Sequence, residues 1–150
     1  MINRILDLLK DSGVSPEPQQ EDQSEYDRLL AVCALFVEMA AIDGEFSTDE
    51  RIRITSILTS EYALTPGDVE QIINAAQERL RASMDYWQLT NIINRHYSEE
   101  EKVRIVELLW KIIYTDGSVD RHEEYLVRKL SRLLGLKHRQ MIDAKLRMKP

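Results

Sequence analysis

The chain has 150 residues, 26 acids against 20 bases for a net charge of −6, and one cysteine. That length is enough for one domain with its own core. A lone cysteine excludes a disulfide framework and fits a reducing compartment. Five glycines and four prolines are few, and no hairpin signal competes with the recurring helical spacing of Leu, Ile, Ala, Glu and Arg, so an all-α protein is expected.

Residues 1–9 hold Ile2, Ile5, Leu6, Leu8 and Leu9, an amphipathic helical face that ends near Ser12 and Gly13. Arg4, Asp7 and the lack of a small-residue cleavage site exclude a secretory signal. Residues 14–25, with Pro16, Pro18, glutamines and acids, have the composition of a linker. The opening helix (1–13) is therefore tethered to a main domain over 26–150. Three places would take its apolar face: its own domain, a second subunit as in a homodimer, or a membrane, the last disfavoured by the short face.

A helix over 26–42 is apolar all round in its last three turns and belongs in the core. Its stretch 29–42 is too short to span a bilayer and contains Glu38, so a soluble, cytoplasmic protein is expected. Gly44 stops it, and Ser47 with Glu50 has capping-box spacing for a helix through Ile52, Ile54, Ile57 and Leu58 to about Tyr62. Thr65 and Pro66 open a third helix with Val69, Ile72, Ile73 and Ala76 inward. Residues 83–97 form another. Ser98 and Glu101 cap a second buried helix through Val103, Val106, Leu109, Trp110 and Ile113 to Thr115, stopped by Asp116 and Gly117. Asp120 with Glu123 caps the next, whose apolar face reads Tyr125, Leu126, Leu130, Leu133 and Leu134 before Gly135. A last helix from about His138 carries Met141, Ile142 and Leu146. Both Trp and the Met residues fall on helical faces and are assigned to the core, as is Cys33.

The chain writes one unit twice. At a spacing of 73 residues Leu35 matches Leu108, Asp43 matches Asp116, Gly44 matches Gly117, Glu50 matches Glu123 and Ile57 matches Leu130. After one deletion Leu64 matches Leu136 and Val69 matches Met141. A domain of seven to eight helices with an internal pseudo-two-fold repeat, halves about 26–82 and 98–148, is the economical expectation. Glu38 and its equivalent Lys111 each lie in an apolar helix, where an ion pair between them and separate contact with solvent are equally open.

Most of the repeated motif is helix punctuation: a left-handed glycine, a corner residue and a capping box. Asp43 and Asp116 are the exceptions, because an anion at a helix C-terminus is disfavoured by roughly 0.3 to 1 kcal/mol unless the turn backbone offsets it. Asp43, Glu45, Asp49, Glu50, Asp116, Asp120, Glu123 and Glu124 lie in or beside the turns and would supply a hard cation with oxygen ligands. The order is not that of an EF-hand loop. His96, His122 and His138 lack zinc-site spacing.

With each copy preceded by a long apolar helix, this doubled Asp-Gly-x-apolar-x-x-x-Glu motif resembles the TerB-like family, named for tellurite-resistance operons, over about residues 26–148. The resemblance implies an all-helical domain, a site at the acidic turns, metal binding, protein partners in stress-response assemblies near the membrane, and no enzyme activity. By position the metal ligands are then Asp43, Glu50, Asp116 and Glu123, with Glu45, Asp120 and His122 as further candidates, and Ca, Mg or Mn favoured over Zn. Two alternatives stand beside this: a protein-interaction or scaffold domain whose turns are caps alone, and, weakest, a metal-dependent hydrolase, for which no nucleophile or anion loop is found.

Charge is uneven along the chain: residues 1–50 sum to −9, 51–100 to −2 and 101–150 to +5. The basic tail Lys137, His138, Arg139, Lys145, Arg147 and Lys149 lacks interleaved aromatics and any recognised motif, so no nucleic-acid partner is expected.

Overall fold

A computed structural model of the chain describes residues 20–42, 44, 46–82 and 85–150, with the backbone alone for residues 20–24 and 116. Among the described residues all regular structure is helical: α1 (Gln20–Ala40), α2 (Thr48–Glu61), α3 (Pro66–Arg81), α4 (Tyr86–His96), α5 (Glu99–Ile113), a 3-10 turn (Tyr114–Asp116), α6 (Arg121–Leu133) and α7 (His138–Met148). The all-α expectation therefore holds. The helix expected over 1–13 lies outside the described residues, as do residues 14–19 of the expected linker. Residues 20–25 of that linker are helical instead. Beyond Pro18 no breaker intervenes, and Glu21 and Asp22 stand at the positive end of the helix dipole, so α1 extends six residues upstream of Tyr26.

The core is built on α1. From Leu29 to Ala40 every side chain except Glu38 is at most 5% exposed, so this helix needs cover on all sides. α3 and α4 pack most extensively on it, α5 crosses it, and α2 touches it more lightly. The second apolar helix, α5, buries Ile105, Val106, Leu108, Leu109, Trp110, Ile112 and Ile113, and its main neighbour is α7. The Trp110 indole N–H donates to the Met141 carbonyl at 3.2 Å, which ties the two helices by a buried bond. In both halves the apolar helix thus packs chiefly on the third helix of its own unit.

The helix ends follow the sequence signals closely. Ser47, Thr65, Asp85, Ser98 and Asp120 each accept a backbone N–H from the third helical residue. The corners after α2 and α6 also correspond. Ala63 (φ 56°) and Gly135 (φ 75°), each just before the aligned Leu64 and Leu136, are left-handed. Leu136 N–H returns to Ser131 O at 3.0 Å and Gly135 N–H to Arg132 O at 3.0 Å, a Schellman closure. In the first copy, one residue longer, Leu64 N–H returns to Leu58 O at 3.4 Å.

Three residues assigned to apolar faces turn out to be exposed: Trp87 (64%), Tyr125 (67%) and Leu146 (63%). In α4 the inner face is Tyr86, Leu89, Thr90 and Ile93, and Trp87 is rotated off it. In α6 and α7 the buried sets centre on Leu126, Val127 and Leu130 and on Met141 and Ala144, and Tyr125 and Leu146 lie on the opposite sides. At about 100° per residue, one position moves a side chain off a narrow buried stripe. Cys33 is core, as expected, and burial pushes its thiol up to about 12, with Arg51 opposing weakly.

A charged network staples α2, α5 and α7 at the surface: Arg104 bonds Glu61 and Glu107, and Arg147 bonds Glu107. Arg104 lowers the Glu61 pKa against the opposing effect of burial. For Glu107 burial pushes upward, and the bonds from Arg147 and Arg104 outweigh it, so it too is lowered. Carboxyls held below their ordinary values add stability in full above the unfolded value of about 4.3 and lose it as pH falls through the folded values. Arg104→Gln is expected to lower neutral-pH stability and flatten the loss between neutral and acid, read from urea midpoints across pH. At the corners, Ala63→Gly should raise stability by about 1 kcal/mol and Gly135→Ala lower it by about the same, because only glycine adopts positive φ freely. No atom within 4 Å obstructs a Cβ at Gly135, so denaturant titration of that variant reads backbone strain alone.

Candidate functional site

The two Asp-Gly turns are built by the same bonds. Gly44 N–H donates to Ala41 O and Gly117 N–H to Tyr114 O, both at 2.9 Å, with φ of 96° and 83°. Three residues on, Glu50 N–H donates to Ser47 Oγ at 3.1 Å and Ser47 N–H to Glu50 Oε1 at 3.1 Å. In the second copy Glu123 N–H donates to Asp120 Oδ1 at 2.8 Å and Asp120 N–H to Glu123 Oε1 at 3.0 Å. Glu123 is buried at 6% exposure, whereas Glu50 is half-buried.

Each turn packs against the helix that follows the other. Arg53 Nε on α2 donates to Thr115 Oγ1 in the second turn at 3.3 Å. Ile42, at the first turn, lines a cavity of about 260 Å³ with Tyr86, His122, Tyr125, Leu126 and Lys129. Of the candidate ligands, Glu50, Asp120 and Glu123 each have one carboxylate oxygen committed to a cap. Exposed His122 faces the aromatic cavity. Asp43 and Glu45 lie outside the described residues, and Asp116 is described in backbone alone. Among the described residues no three or more of His, Cys, Asp and Glu converge on one point. The donor chemistry at the turns is hard carboxylate oxygen, which suits Ca, Mg or Mn.

Compared with known proteins, residues 29–146 match the family model described as tellurite resistance protein TerB. A crystal structure of a protein of unknown function from Porphyromonas gingivalis is similar in fold, with a TM-score of 0.62 and 23% identity over 83% of this chain and 94% of that one. No curated protein matches. No described helix is long and apolar enough to cross a membrane.

Tyr86 was not singled out by the sequence, yet it answers the charge in the core helix. Its hydroxyl donates to Glu38 Oε1 at 2.7 Å, so Glu38 is held by Tyr86 rather than by Lys111. Lys111 acts instead on Glu61. Burial raises the Tyr86 pKa, and the bond to Glu38 adds to that rise. Lys129 lies over the same ring, 5.3 Å from its centroid. Tyr86→Phe leaves a half-buried carboxylate without its donor and is expected to cost about 1.5 to 3 kcal/mol. Lys111→Met should cost less than Tyr86→Phe. Thermal denaturation of the two variants side by side checks the order.

Proposed function

As the chain belongs to the tellurite resistance protein TerB family, we propose that it is a non-enzymatic module of stress-response assemblies, taking a divalent cation at its two acidic turns. The supporting observation is the crossed packing of two like-built turns, each lying against the helix that follows the other. Asp43 and Asp116 are the ligands on which this reading depends, because capping accounts for the other turn residues without them. Glu50, Asp120 and Glu123 keep the turns closed through their caps. What a bound ion supplies is cross-linking of the two turns.

A second reading is favoured by a different observation. Exposed Trp87 and Tyr125, on α4 and α6, offer aromatic surface to a protein partner, and aromatic residues dominate such contacts. In that reading the module recruits partners, including a membrane-associated assembly, and the turns serve as caps alone.

Calorimetric titration with calcium, magnesium, manganese and zinc separates the two. The wild type should take up an oxygen-preferring ion at micromolar to millimolar concentration and gain thermal stability with it, while Asp43→Ala combined with Asp116→Ala does neither. A wild type that takes up none of the four ions leaves the recruitment reading standing and ends the cation reading.

A further inference from the structure

We infer that the corner between α6 and α7 binds a phosphoryl group. A cavity of about 250 Å³ there is lined by Arg128, Ser131, Arg132, Leu136, His138 and Met141. Arg128 and Arg132 lie one turn apart on the same face of α6, and guanidinium forks match the oxygens of a phosphate. Ser131 is 3% exposed and its hydroxyl has no hydrogen-bond partner among the described residues. A serine in a helix ordinarily turns back onto the carbonyl four residues earlier. Here the hydroxyl is left with its bond unmade at the cavity wall.

The start of α7 adds a third kind of donor. Lys137 occupies its N-cap and has no side-chain acceptor to offer, unlike the five helices capped by Ser, Thr or Asp. Gln140 and Met141 N–H turn to Lys137 O at 3.0 and 3.3 Å, and the His138 and Arg139 N–H groups have no acceptor among the described residues. The positive end of the helix is therefore open at the residue that lines the cavity, a favourable place for an anion.

The carboxylates nearby do not neutralise the site. Glu124 Oε1 lies 3.6 Å from Arg128 Nη2 but is shared with Lys145 Nζ at 4.0 Å, and Asp143 lies 3.9 Å from Arg139 Nε. A tetrahedral oxyanion has enough oxygens to engage two guanidiniums, a hydroxyl and a helix N-terminus together, whereas a carboxylate has two. With two arginines, one histidine and no aromatic at the cavity, the site fits a single phosphoryl group rather than a nucleic-acid strand.

The test is a titration of the full chain with inorganic phosphate, against chloride at equal ionic strength, followed by amide and arginine Nε–H resonances. Saturable shifts confined to residues 128–141 are expected. Arg128→Gln with Arg132→Gln, both exposed and so tolerant of change, should weaken binding by about tenfold or more, and Ser131→Ala by several-fold. Shifts that fail to saturate, shifts spread over every basic surface, or an affinity unchanged in the double arginine variant would overturn the inference. Phosphatidylcholine vesicles with and without phosphatidic acid distinguish the source. Co-sedimentation lost in the arginine variant supports a lipid headgroup, and phosphate binding without co-sedimentation supports a soluble phosphoryl compound.

Discussion

Burial of α1 on every side is the constraint from which the other elements take their places. A helix with one apolar stripe needs one partner, but a stretch that hides all of 29–37, Met39 and Ala40 needs a ring of them. α3 and α4 supply most of that ring, and α5 brings in the second half of the chain. Because α5 is itself apolar on several faces and leans on α7, the two halves share one core. The same constraint accounts for Glu38, whose carboxylate finds a hydroxyl from α4 at the edge of the ring.

The turns must then reverse the chain immediately beyond each buried helix, where backbone carbonyls are left without intrahelical partners. A left-handed glycine and a reciprocal capping box do this in both copies with the same bonds. Carboxylates of Glu50, Asp120 and Glu123 form part of these caps. Arg53 reaches across to Thr115 and places a guanidinium beside the second turn, which links the two units by a polar contact in addition to the core.

The charge imbalance along the chain resolves into local arrangements. Among the acids, Glu50, Asp85, Glu101, Asp120 and Glu123 cap helix N-termini. The basic excess of the last third is spent partly on Glu107 and Glu124 and partly on the α6–α7 corner, where the positive groups outnumber the acids facing them.

Helix existence, order and the N-termini marked by a capping pair were legible in the sequence because they depend on neighbours three or four residues away: Ser47 with Glu50, Ser98 with Glu101, Thr65 before Pro66; the start of α1, which carries no such pair, was not. So was the doubled Asp-Gly unit, since repetition is a property of the string itself. Facts that depend on residues distant in sequence were not legible. Trp87 and Tyr125 read as core but face outward, because the angular width of a buried stripe is set by the helices packed over it. For Glu38 an ion pair with Lys111 and contact with solvent stand equal in one dimension, and the fold brings Tyr86, 48 residues away, to its oxygen. The sequence by itself thus determined local hydrogen bonding and apolar period. Only the tertiary structure decided which side chains meet, since long-range contacts follow from packing rather than from spacing along the chain.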